Sequence, residues 1–203
     1  MARLREFYEK RNGKNPNYNI LFYNLAISGA TSDSLVGRFE REAKPRLEKE
    51  NDNVVIFEFG KNDASTFTKD GTHPVEKDRF EKNVRTLCGL AKGMGEHVVL
   101  LGLGVVRDPG GARLPDVPGT VYTNEAFRGY DEILKRVAKD EGVHFVAIAK
   151  KLGRYDPREV FEDPVHLNAK GHAVLFRIVK NYLNKSGIMP ADFIGKMHSY
   201  PLG

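Results

Sequence analysis

An aspartate and a histidine near the carboxyl end of the chain have the spacing of a catalytic pair. Asp163 lies three residues before His166, in an Asp-Pro-Val-His sequence that leads into a predicted helix. This spacing allows the Asp163 carboxylate to hydrogen-bond one ring nitrogen of His166 and leaves the other nitrogen facing a cleft. A histidine oriented in this way is the general base of a Ser-His-Asp arrangement. The alternative is a simple helix-entry hydrogen bond, which an isolated Asp-x-x-His often forms.

Two further blocks follow predicted strands, where the chemistry of open α/β sheets usually takes place. Ser28-Gly29-Ala30 follows one apolar run, and the Gly29 N–H could donate to a developing oxyanion. Gly-Lys-Asn-Asp at residues 60–63 follows the next run, and the Asn62 side-chain amide could be a second donor. Such donors are worth about 3 kcal/mol each in acyl transfer. Each block alone is more often an ordinary turn, so the prediction rests on all three occurring together.

Four short apolar runs predict the strands that would position these blocks. They are residues 20–27, 54–59, 98–103 and 144–148. Continuous apolar runs, rather than alternating ones, indicate strands covered on both faces. Helical stretches with apolar residues at three- and four-residue steps lie between them. The alternation predicts an α/β/α sandwich with a parallel sheet.

Prolines, glycines and polar residues predict where the helices begin and end. Pro45 should interrupt the second helix, Pro74 should begin the third, and Asn168 should cap the last. Residues 107–122 are rich in glycine and proline and lack periodicity. We expect them to form a surface loop beside the strand ends that shapes a substrate pocket.

The composition excludes several classes of function. The chain has 203 residues, enough for one domain with a core, and its single cysteine, Cys88, suits helix packing in a reducing, cytoplasmic location. No apolar run approaches the roughly 18 residues of a membrane span. The net charge of +5 is dispersed among interleaved acidic and basic residues, which argues against nucleic-acid binding. No metal-ligand cluster or phosphate-binding loop occurs, so no metal and no cofactor is predicted.

Together the three blocks resemble those of the SGNH, or GDSL-type, ester hydrolase family. The resemblance extends from about residue 2 to residue 183. It implies a flavodoxin-like parallel sheet in a three-layer sandwich and a carboxylic ester hydrolase that needs no cofactor. It further implies that His166 is the general base and that Asp163 orients it. Gly29 and Asn62 would then be the oxyanion-hole residues.

The resemblance also bears on the rest of the chain. Asp63 would brace the Asn62 loop rather than take part in chemistry. We expect one domain over residues 1–203, with a C-terminal tail from residue 184 whose role is unassigned.

The first block of the family is missing. In the family a Gly-Asp-Ser turn ends the first strand and its serine is the nucleophile, but this sequence contains no Gly-Asp-Ser. Residues 1–7 look like the helix that follows that turn, so the chain is expected to begin about 20 residues late and to lack a central strand. Loss of that strand would open two sheet edges. Ser28 is the best substitute among the candidate serines, which are Ser28, Ser32, Ser34, Ser65, Ser186 and Ser199.

Three interpretations follow from these observations. The first is an ester hydrolase that acts on small acyl esters or thioesters through a serine ester intermediate. The second is a catalytically inactive member of the same fold that binds a ligand or a partner in the same cleft. The third is that the chain is stable only as a homo-oligomer, in which a neighbouring copy covers the exposed strand edges.

Overall fold

A computed structural model describes residues 2–12, 20–47, 52–95, 97–108 and 110–189. The helices are α1 (Ala2–Asn12), α2 (Ser32–Ala43), α3 (Lys77–Lys92), α4 (Asn124–Glu141), α5 (Ala149–Leu152), α6 (Pro157–Val160) and α7 (Ala169–Lys185). The strands are β1 (Val54–Phe57), β2 (Thr66–Phe67), β3 (His97–Leu101), β4 (Thr120–Val121) and β5 (His144–Val146). The described chain divides into two compact units, one formed by Leu25–Leu175 and one by the segments on either side of it.

The main sheet of the Leu25–Leu175 unit is parallel and has the order β1-β3-β5. Val55 lies opposite Val98, and Leu100 lies opposite Phe145. The central strand is buried from Val98 to Leu101, while α3 packs on β3 and α4 packs on β5. Apolar runs without alternation form such covered strands. The predicted α/β fold, with helices flanking a parallel sheet, is therefore confirmed.

The strand predicted for residues 20–27 is wrong. This segment belongs to no strand in the described part of the chain, whose main sheet has β1 at one edge. An apolar run forms a strand only when a neighbouring strand receives its backbone hydrogen bonds, and here the Leu25 carbonyl accepts instead from Nη1 of Arg38, at 2.8 Å. The side chains of Leu21, Tyr23 and Ile27 are exposed as a result.

The core of this unit lies between the sheet and helices α3 and α4. Phe80, Leu87 and Cys88 of α3 are fully buried, at the helical spacing that the sequence predicts. Burial raises the pKa of the Cys88 thiol to about 11. The prediction that Cys88 packs in a helix core is confirmed.

The helix boundaries follow local chemistry. The helix α2 ends at Ala43, and a 3₁₀ turn over Lys44–Arg46 contains Pro45, as its proline predicts. By contrast α3 begins at Lys77 rather than near Pro74, because Glu76 is its N-cap residue and accepts the first helical hydrogen bond, from Phe80 N. The helix α4 ends at Glu141 and is capped by Gly142, whose φ of 65° is the left-handed conformation that favours glycine.

The second unit contains α1 and the later part of α7. The rings of Phe7 and Phe176 meet edge to face, Tyr8 stacks on Phe22, and Tyr8 is fully buried. Within the described ranges, no helix combines the length and apolar character needed to cross a bilayer. Of the predicted tail, residues 184 and 185 end α7, residues 186–189 follow it in a turn, and the residues from 190 onward lie outside the described chain.

Candidate active site

Asp163 and His166 form the predicted pair. The Oδ2 atom of Asp163 lies 2.6 Å from Nδ1 of His166, and its Oδ1 atom accepts the backbone N–H groups of Val165 and His166, both at 2.7 Å. Burial alone would raise the pKa of the Asp163 carboxyl, but these N–H groups and the histidine ring outweigh it and keep the pKa below its ordinary value. The carboxylate is therefore ionised and fixed, while 65% of the His166 side chain is exposed.

A closed loop presents the pair. An antiparallel bridge joins Phe161 to Leu167, and the N–H of Glu162 donates to the His166 carbonyl at 2.9 Å. Asn168 then caps α7, because its Oδ1 atom accepts the Gly171 N–H at 3.0 Å, which confirms the predicted cap. The pair thus lies in the loop before the helix, and both ends of that loop are fixed.

The loop lies at the carboxyl end of the central strand. After β3 the chain continues to Arg107, whose N–H donates to the Pro164 carbonyl at 2.9 Å. In the sequence, Pro164 lies between Asp163 and His166. The carboxyl ends of neighbouring parallel strands lie at one edge of a sheet, and Asn62 follows β1 at that same edge. The order of the strands therefore brings Asn62 and the loop of Asp163 and His166 to one side of the sheet.

The two predicted oxyanion turns are joined to each other. The Asn62 side chain donates from Nδ2 to the Ala30 carbonyl at 2.9 Å, and Asp63 Oδ1 accepts the Ser32 N–H at 2.8 Å. Gly29 lies beside these contacts, with a left-handed φ of 75°. One amide hydrogen of Asn62 is engaged in this contact, and the second is left for another acceptor. No hydrogen bond among the described residues joins these turns to the His166 loop.

Asp63 is completely buried beneath these turns. Its Oδ2 atom has no hydrogen-bond partner in the described structure. Burial raises the pKa of the Asp63 carboxyl, and the hydrogen bonds from Ser32 oppose this rise only in part. Asp63 thus joins the Asn62 turn to Ser32, the first residue of α2, which agrees with the bracing role that the resemblance implies. Because its Oδ2 atom is buried without a partner, this arrangement lowers the stability of the fold.

We expect Asp63→Asn to change the pH dependence of stability. An aspartate whose pKa is raised by folding contributes less stability as the pH rises above its ordinary pKa, because the native state must then bury the charge. The free energy of unfolding of Asp63→Asn should therefore rise relative to wild type from about pH 3.5 to about pH 7. Urea denaturation across this range measures the difference.

The exposed Asp70 supplies the control for this prediction. The Thr72 hydroxyl and N–H groups lower the pKa of Asp70, so Asp70→Asn should show a small trend of opposite sign. A difference between Asp63→Asn and wild type that does not vary with pH would contradict the buried charge.

Burial and hydrogen bonding decide which of the candidate serines could act as a nucleophile. Ser32 is fully buried, and its Oγ atom accepts from Asn83 Nδ2 at 2.9 Å, which excludes it as a nucleophile. Ser65 is also buried and donates to a backbone carbonyl. Ser28 is exposed beside the Gly29 turn. Ser199 lies outside the described residues.

Asn83 is a site-supporting residue that the sequence analysis missed. Its Nδ2 atom also donates to Asp33 Oδ1 at 2.7 Å, and Arg79 Nε donates to the same oxygen at 2.8 Å. A polar residue among the apolar positions of α3 was the available signal, because a buried amide must find partners. The network joins α3 to the start of α2, directly behind the Gly29 turn.

A polar cleft adjoins the loop over residues 161–167 that carries Asp163 and His166, called the dyad loop below. It has a volume of 830 Å³ and is lined by Arg107, Asp108, Asp156, Pro157, Arg158, Phe161 and Glu162. Only Arg107 and Asp108 come from the glycine- and proline-rich segment that was expected to shape the pocket. No group of three or more His, Cys, Asp and Glu side chains in the described ranges is arranged to hold a metal ion.

Comparison with known proteins identifies the family. Residues 2–174 match the model of the GDSL-like lipase/acylhydrolase family, so the chain belongs to that family. It is 26% identical over 157 residues to the isoamyl acetate-hydrolyzing esterase of Saccharomyces cerevisiae; the match covers 71% of this chain and 65%, less than two thirds, of that esterase.

Solved structures show the same fold at low identity. An α/β hydrolase from the metagenome of Lake Arreo, Spain, has a TM-score of 0.66 and 19% identity, and the match covers 90% of this chain and 80% of that one. The acetylxylan esterase of Geobacillus stearothermophilus has a TM-score of 0.65 and 21% identity, with 89% and 79% covered. These likenesses support the α/β fold with a parallel sheet.

Proposed function

We propose that the chain provides the base and oxyanion groups of a serine ester hydrolase that acts on small acyl esters or thioesters. The observation that carries the proposal is the 2.6 Å contact between Asp163 Oδ2 and His166 Nδ1, with the histidine largely exposed. This contact assigns the proton to Nδ1, so the lone pair of Nε2 faces outward and can accept a proton.

The reaction would proceed by acyl transfer. As a hydroxyl attacks the ester carbonyl, its proton passes to Nε2 of His166, and the carbonyl oxygen becomes an oxyanion. When the carbon–oxygen bond to the alcohol breaks, His166 returns this proton to the leaving oxygen. Water then attacks the acyl intermediate by the same route and releases the acid.

Asp163 would contribute through its charge and its position. Because its pKa is lowered, the carboxylate is ionised when His166 takes up a proton, and it stabilises the imidazolium that forms. Gly29 N–H and the second amide hydrogen of Asn62 would donate to the oxyanion. The contact between Asn62 and Ala30 supports this role because it fixes the amide beside the Gly29 turn.

The polar cleft beside the dyad loop would receive part of the substrate. The yeast relative is named for an acetate ester, which agrees with a small acyl group. Arg107 is paired with Asp108, while Arg158 and Glu162 also line the cleft. Charged walls of this kind suit a substrate portion that forms hydrogen bonds better than one that is purely apolar.

The nucleophile is the missing component of this proposal, and a fluorophosphonate probe tests for it. The sequence contains no Gly-Asp-Ser, and no described hydrogen bond joins Ser28 to His166. We expect the purified chain to form no covalent adduct, measured as intact mass, because none of its serines lies in a Gly-x-Ser-x-Gly elbow.

If an adduct does form, two variants identify the serine that carries it and show whether His166 activates that serine. An adduct lost in both Ser28→Ala and His166→Ala would show that Ser28 is an activated nucleophile and would overturn the expectation of a missing serine. An adduct that persists in His166→Ala would contradict the assignment of His166 as base.

The absence of a Gly-Asp-Ser motif favours a second candidate, an inactive member of the family that binds a ligand or a partner through the same cleft. A rate of small-ester hydrolysis no higher than that of buffer, and unchanged in His166→Ala, would support this candidate.

A further inference from the structure

The segment that follows β3 is fixed by two side chains of α4. The Oδ1 atom of Asp131 accepts the Leu103 N–H at 2.7 Å, and Oδ1 of Asn124 accepts the Val106 N–H at 2.9 Å. The next N–H along the chain is that of Arg107, which donates to the Pro164 carbonyl. A continuous path of hydrogen bonds therefore runs from α4 to the loop that carries the catalytic pair.

We infer that Asn124 is a positioning residue for the Asp163–His166 pair. It fixes the Val106 N–H and thereby directs the following N–H, that of Arg107, at Pro164. The inference rests on the proposed function, because it concerns the geometry of the proposed base. Asn124 does not touch the pair itself and acts only through this backbone segment.

The start of α4 does not need Asn124 for its own stability. Thr123 is the N-cap residue, and its Oγ1 atom accepts the Ala126 N–H at 3.1 Å. The Asn124 side chain is thus directed to the loop rather than to its own helix. Because this side chain accepts an N–H of a distant segment rather than one of its own helix, it helps to fix the path of that segment.

Burial fixes the backbone between the two residues, where Val165 is buried, but not the His166 ring, whose orientation depends on hydrogen bonds. The His166 side chain is largely exposed, so few packing contacts restrain it. Val106, in contrast, is almost completely buried. Without Asn124, its N–H would lack a partner in a buried environment, and the segment would have to rotate toward another acceptor. That rotation would withdraw the Arg107 N–H from Pro164.

Nuclear magnetic resonance tests the inference without any substrate or nucleophile. The Nδ1 proton of a histidine bonded to a carboxylate gives a downfield resonance, which His166→Ala assigns by its loss. We expect Asn124→Ala to lose this resonance or to increase its exchange with water at least about tenfold. We also expect at least about tenfold faster hydrogen exchange at the Arg107 amide, since both changes correspond to the loss of one well-formed hydrogen bond.

Two variants separate positioning from general destabilisation. Asn124→Asp retains an Oδ1 acceptor and should preserve both the resonance and the protection of Arg107. Thr123→Ala removes the cap of α4 but leaves the Val106 contact in place, so it should lower thermal stability and preserve both signals.

Retention of both signals in Asn124→Ala, or their equal loss in Thr123→Ala, would overturn the inference. Because neither signal requires catalysis, an absence of ester hydrolysis would count against the proposed function while leaving this result intact.

Discussion

Replacement of His166 by alanine is expected to lower the rate of small-ester hydrolysis about 10²- to 10⁴-fold, the usual contribution of a positioned general base. The loss should occur whether a serine hydroxyl or water attacks the ester, because in both cases the proton leaves toward Nε2 of His166. Initial rates with para-nitrophenyl acetate, compared with the buffer rate, provide the measurement.

Two further variants show whether the loss of rate is specific to His166 and its partner Asp163. His172→Ala removes another exposed histidine, from α7, and should leave the rate unchanged. Asp163→Asn should cause a loss similar to that of His166→Ala, because an amide neither fixes the required tautomer nor stabilises the imidazolium. If His166→Ala hydrolyses the ester as fast as the wild type, the proposed base is wrong.

The second large effect is expected from Gly171→Ala at the start of α7. A Cβ atom at this position would lie inside the contact distance of the Val160 carbonyl oxygen and 2.9 Å from Leu167 Cδ2. Backbone at Val160 cannot yield as a flexible side chain can, so the helix start must move away from the dyad loop. We expect a loss of about 3 kcal/mol in the free energy of unfolding, measured by urea denaturation.

Gly89→Ala is the control for this substitution. Gly89 lies in α3, where an added Cβ would meet no atom within 4 Å. The variant should gain about 0.5 to 1 kcal/mol, because alanine restricts the unfolded chain more than glycine does. A Gly171→Ala protein as stable as the wild type would show that α7 and the dyad loop are not tightly packed.

The sequence predicted local features of the site well. Asp163 and His166 are three residues apart, so their hydrogen bond depends on one loop and can be read from spacing. Asn168 likewise contacts groups only a few residues away. The Gly29 and Asn62 turns do lie together, but through the contacts of Asn62 with Ala30 and of Asp63 with Ser32 rather than through the strand that was predicted before Gly29. Their roles in catalysis, the single domain over residues 1–203 and the homo-oligomer stay predictions.

Features that depend on distant partners could not be predicted in this way. The run at residues 20–27 has strand composition, but a strand also needs a neighbour, and no composition specifies one. The contact of Asn83 with Ser32 and that of Asn124 with Val106 join residues from different elements. Both depend on the mutual packing of helices and strands, which a single sequence does not reveal.

The burial of Cys88 gives the protein a built-in reporter of its own motions. With no other cysteine in the chain and a thiol that is inaccessible and mostly protonated at neutral pH, a thiol reagent can react only when α3 separates from the core. The labelling rate of the native protein therefore measures how often that separation occurs, without an introduced label. Applied to each variant, it distinguishes a loosened core from a change confined to the dyad loop.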